Sequence, residues 1–116
     1  MIDTIHTAAM AYLNHLKSRG MSERSIYTYS KDLEQVERFF GGERRLSSIL
    51  TPQVSRFVES DILLKLTNGE MRAEPTIEKT KRCLRMFLVW AKNRELIDTL
   101  PLPEDYPMGR SVVNDG

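Results

Sequence analysis

The side chains best placed to do chemistry in this chain are cations set at helical spacing. Arg24, Lys31 and Arg38 recur every seven residues, so a helix would line them on one side, with Tyr27, Thr28 and Gln35 between them. Lys79, Lys81, Arg82, Arg85, Lys92 and Arg94 fall within Thr76 to Arg94, against the single acid Glu78. That stretch carries a net +5 in a chain whose total is +1, which leaves the remainder at −4. Hydroxyls stand near the start of both stretches: Ser25 and Thr28 in the first, Thr76 and Thr80 in the second. Hydroxyls and amides at helix starts suit phosphate oxygens, and the cations add attraction that is independent of base sequence. The competing reading is two amphipathic helices with ordinary solvated Lys and Arg. Composition alone leans toward that reading; order and spacing move the balance.

Other chemistry finds no constellation. Gly41-Gly42 and the isolated glycines lack the strand–turn–helix setting of a phosphate loop. His6 and His15 are nine residues apart with no second ligand type at metal spacing, so both read as solvated, and no metal or cofactor is expected. Glu104 and Asp105 are paired acids in a stretch where nothing would desolvate them. The single cysteine, Cys83, lies on the apolar side of a helical stretch and reads as a structural thiol in a reduced compartment. No run has the length of a membrane helix, and the N-terminus lacks a basic-then-apolar signal pattern.

The elements that position the cations are helices. Ile5, Ala9, Tyr12, Leu13 and Leu16 predict a first helix over Thr4 to Arg19, stopped by Gly20. Ser22 is the natural cap of a second, whose stripe of Ile26, Tyr29, Leu33, Val36 and Phe40 runs to Gly41-Gly42. A third is expected from Thr51 as cap and Pro52 as first helical residue, with Val54, Phe57, Val58, Ile62 and Leu66 facing inward. Thr67 to Glu74 then reads as a mobile loop. The fourth opens at Pro75-Thr76. At 100° per residue, Trp90, Cys83, Phe87, Ala91, Leu84, Ile77 and Leu88 fall in one apolar arc, and Lys81, Lys92, Arg85 and Arg82 fall on the other side. Asp98 to Gly116, with Pro101, Pro103 and Pro107, has no helical period and reads as a linker or tail. The expected organisation is one domain over residues 1–100 and a linker or tail over 101–116.

The ordered set of these segments resembles the N-terminal core-binding domain of tyrosine recombinases, the phage-integrase family. Tyr12-Leu13-Asn14-His15-Leu16 with Arg19-Gly20-Met21-Ser22 resembles that family's first helix and turn. Ser22-x-x-Ser25-Ile26-x-x-Tyr29-x-x-Asp32-Leu33, ending in Phe39-Phe40, resembles its second helix. Ile49-x-Thr51-Pro52 fits the start of the third. Thr76-Ile77, Leu84-Arg85-x-Phe87-x-x-Trp90-Ala91, Leu96-Ile97 and Pro101 resemble the last helix and the exit from the domain.

The resemblance implies an all-α, four-helix SAM-like orthogonal bundle that forms half of a clamp around double-stranded DNA. It implies Arg24, Ser25 and Thr28 as second-helix contacts, and Thr76, Lys79, Lys81 and Arg82 as those of the fourth, flanked by Lys31 and Arg85. Lys79 lies nearer the apolar edge, and the family often has an apolar residue where Lys81 stands. The family's tyrosine nucleophile and its basic partners belong to a second domain that nothing after Pro101 resembles. The expected partners are therefore DNA, that catalytic domain and other recombinase protomers, at a cytoplasmic, nucleoid-associated location. None of Tyr12, Tyr27, Tyr29 and Tyr106 is expected to be a nucleophile. A helical protein-interaction module with a basic face is the alternative.

Overall fold

Every α-helix among the described residues begins at a side-chain cap or within two residues of a proline. The structure is a computed structural model and describes residues 2–106. It contains α1 (Ile5–Ser18), α2 (Glu23–Phe40), a 3-10 turn (Leu46–Ser48), α3 (Thr51–Val58), α4 (Asp61–Leu64) and α5 (Glu74–Asn93). Among the described residues there is no β-strand, only two isolated bridges, so the expected all-α class holds. Thr4 caps α1 by accepting the Thr7 amide, and Ser22 caps α2 by accepting the Ser25 amide. Gly20 and Gly41, both at positive φ, lie just past the ends of α1 and α2, where a Cβ would be strained.

Four boundaries differ from the sequence expectation. The third helix divides in two. Ser60 Oγ accepts the Leu63 amide at 3.4 Å and donates to the Phe57 carbonyl at 2.7 Å, so one residue ends α3 and caps α4. The break turns the chain so that Leu63 enters the core with no exposed surface. At α3 itself Leu50, not Thr51, is the capping residue, and its amide is taken by Gln53 Oε1 at 2.9 Å. The expected mobile loop is pinned: a bridge joins Lys65 and Met71, and Arg72 donates to the Leu63 carbonyl and to Thr80 Oγ1. Finally, the segment after α5 folds back onto the helices. Ile97, Pro101 and Tyr106 are buried, and Tyr106 donates its hydroxyl to the Lys81 carbonyl at 2.6 Å. The part of the expected tail beyond Tyr106 lies outside the described residues.

α5 packs against α1, α2 and α4, and α2 packs against α1, α4 and α5. Tyr12 of α1 meets Phe87 and Trp90 at 5.6 and 5.2 Å between ring centroids. Phe39 and Phe40 of α2 meet Phe57 of α3 at 5.3 and 5.7 Å. Phe57, Phe87, Leu33, Leu84 and Leu88 are wholly or almost wholly buried. Each such side chain contributes roughly 1.5–3 kcal/mol of transfer free energy, which is what holds the short helices in place.

Candidate nucleic-acid interface

The two cationic stretches are joined by a buried acid. Asp32 of α2 is 3% exposed. Its Oδ2 receives Lys79 Nζ at 2.6 Å, and its Oδ1 accepts the Thr80 hydroxyl at 2.8 Å. Thr80 Oγ1 in turn accepts from Arg72 Nη2 at 3.0 Å. A carboxylate withdrawn from water needs such partners, and here they come from the neighbouring helix and the loop before it. The network fixes α2 beside the first half of α5. One turn back along α2, Tyr29 lies beside the next turn of α5. Burial raises the Tyr29 pKa above its ordinary value and nearby Cys83 adds to the rise, while the Arg82 guanidinium opposes it.

The expected contact residues separate into two groups. Arg24 and Arg82 are exposed and, among the described residues, make no ion pair. Thr76 is exposed at the start of α5, and Ser25 and Thr28 are half-buried on α2, where Thr28 donates to the Arg24 carbonyl. Lys31 is exposed, 3.4 Å from Glu34, and lies over the Tyr27 ring; its pKa is raised, chiefly by the hydrogen bond to Glu34. These residues face solvent. The other group does not present a free charge. Lys79 is held by Asp32. Lys81 has an 18% exposed side chain that pairs with Glu78 at 3.0 Å. Thr80 is fully buried and hydrogen-bonded within the fold. Arg85, placed by its helical angle among the cations, is only 7% exposed. The buried arc of α5 is wider than a one-sided helix would have, because neighbours cover it from several directions.

Asp32 stands in the second-helix motif, but nothing there announces its pairing with α5. Arg72 and Tyr106 lie in segments without helical period, and their partners are set by tertiary packing alone. His6 and His15 are less free than expected: His6 bonds Glu37 at 2.9 Å, and the His15 ring lies 6.0 Å from Trp90. Cys83 is a buried thiol whose pKa is pushed up to about 12 by burial, as a structural cysteine requires. Among the described residues no cluster of His, Cys, Asp or Glu could hold a metal ion, and no helix is long and apolar enough to cross a membrane.

A small helical bundle with exposed cations on two helices tied together by a buried acid defines a charge-presenting kind of module. The sequence model for phage integrase, N-terminal SAM-like domain, matches residues 9–95. The chain belongs to that family, and its role is in site-specific recombination. No curated protein and no solved structure matches it.

Proposed function

We propose that this chain is the DNA-gripping domain of a site-specific tyrosine recombinase, with α2 and α5 laid against the duplex. The observation that carries the reading is the pair of exposed guanidiniums, Arg24 and Arg82, without ion pairs among the described residues, on two helices fixed to each other through Asp32. Phosphate contacts dominate such an interface, and affinity falls with salt as condensed counterions are released. Arg24, Arg82 and Lys31 supply the charge, while Ser25, Thr28 and Thr76 supply hydroxyls for phosphate oxygens. Base readout belongs to Arg24 or Arg82, whose forked donors match the guanine edge. Lys79, Lys81 and Arg85 act mainly inside the domain. Catalysis is assigned to a separate domain of the recombinase, and protomer contacts to the assembled complex.

The test is a titration of duplex DNA followed by gel shift and by amide chemical shifts at several salt concentrations. Shifts should map to α2 and α5. The Arg24→Ala/Arg82→Ala double variant should bind more weakly, with a log–log salt slope reduced by about 0.9 for each phosphate contact removed. Parental affinity and slope in that variant would refute the assignment.

A further inference from the structure

A cleft of about 370 Å³ opens between α1 and α5, lined by Tyr12, His15, Arg85, Trp90 and Asn93 among others. Arg85 and Trp90 are more than nine-tenths buried, and among the described residues neither Arg85 Nε nor Trp90 Nε1 has a hydrogen-bond partner. Among the described residues Arg85 makes no ion pair. The other withdrawn charges in this fold are answered: Asp32 by Lys79 and Thr80, Lys81 by Glu78, Arg72 by a carbonyl and a hydroxyl. Among the described residues the unanswered, buried Nε–H of Arg85 is the exception, and beside it a guanidinium with no ion pair favours an anionic, acceptor-only group.

We propose that this cleft docks an acidic side chain of a protein partner, a Glu or Asp next to an apolar residue. A carboxylate matches the guanidinium fork. The walls decide how it arrives: Tyr12, Leu16, Val89 and Trp90 favour a carboxylate on an apolar stem over a hydrated phosphodiester. Charge at the rim agrees. Lys92 and Arg94 at the end of α5, flanking Asn93, are exposed, with Arg94 5.5 Å from the Trp90 ring centroid. Such a rim steers an acidic surface toward the cleft. The proposal stands on α1 and the far half of α5, and does not depend on the DNA reading.

The full chain is titrated with a short amidated peptide alternating leucine and glutamate, and with its glutamine counterpart. The Trp90 indole and Arg85 Nε–H resonances report. Saturable shifts of both with the glutamate peptide alone are expected, and Arg85→Gln should weaken binding on the order of tenfold, the loss of one charge-assisted bond. Because Arg85→Gln risks the core, Asn93→Asp at the exposed rim serves as a second variant and should also weaken binding. Equal binding of the glutamine peptide, or no shift with either, overturns the site. So do the same shifts produced by duplex DNA, or by raising the protein concentration alone, since each names a different occupant.

Discussion

Lys79 Nζ lies 2.6 Å from Oδ2 of Asp32, a carboxylate almost wholly buried between α2 and α5. Removing the acid strips Lys79 of its counter-charge and takes one of two acceptors from the buried Thr80 hydroxyl, which keeps only the Thr76 carbonyl at 3.2 Å. Asp32→Ala should destabilise the domain by about 2–3 kcal/mol, less than a fully buried pair because the Lys79 side chain keeps 35% of its surface in water. Urea denaturation measures it. A loss below about 0.5 kcal/mol, the usual scale of an exposed pair, would mean that the network contributes little.

The lysines of α5 should behave unlike its free arginine. Lys79→Ala should lower stability, since it strips Asp32 of its counter-charge, yet change DNA affinity less than Arg82→Ala. Lys81→Ala should also bind DNA more nearly like the parent than Arg82→Ala does, because Glu78 already balances the Lys81 charge. Denaturation and gel shift on the same three proteins check both statements. Equal losses of affinity across the three would contradict the division between internal and presented charge.

The domain should lose stability in alkali well before any surface group explains it. Burial raises the pKa of Cys83 from an ordinary value near 9, and those of Tyr12 and Tyr106 from 10. Each group then holds its proton in the folded chain at a pH where the unfolded chain has released it. The unfolded state therefore binds fewer protons, and stability falls as pH rises. The contribution is intact below about pH 9 and declines above it, by up to about 1.4 kcal/mol per pH unit for each such group. Thermal melts from pH 7 to 11 follow this. At pH 8 Cys83 should resist a thiol reagent that labels it at once in denaturant.

Tyr106 tests how firmly the segment after α5 is held. Tyr106→Phe removes the hydrogen bond to the Lys81 carbonyl and should cost about 1 kcal/mol. Tyr106→Ala also empties a buried ring site and should cost about 3 kcal/mol. Two similar, negligible values would show that residues 98–106 add no stability.

Ser60→Ala should loosen the α3–α4 junction by about 1 kcal/mol, the usual scale of a lost cap. Ser60→Asp, which can accept the same Leu63 amide, should recover most of it. Comparison of their urea midpoints decides.

Much of this fold was readable because its signals are local. Ser22, Gly20 and Gly41 mark boundaries through their own backbone and side-chain chemistry, and the stripes Ile5–Leu16 and Ile26–Phe40 follow from periodicity. The split at Ser60 was hidden because Val58, Ile62 and Leu66 continue a helical rhythm across it. Arg85 was misplaced for a different reason. A helical wheel assumes one buried side, whereas α5 is enclosed by α1, α2 and α4, so its angular position no longer reports exposure. Thr80, a hydroxyl near the start of the second cationic stretch, is wholly buried for the same reason. Lys79 and Asp32 stand 47 positions apart, and no pattern within either helix announces that pairing.

Arg72 grips both the Leu63 carbonyl and Thr80, so the chain from α4 through the turn into α5 is moored at the point where α5 meets α2. These two bonds oppose independent sliding of α4 and the start of α5. Association should therefore order little new backbone, and its heat-capacity change should reflect contact area rather than coupled folding. Discrimination between targets then falls to the complementarity of a ready-made surface, with little room for the protein to adapt its shape.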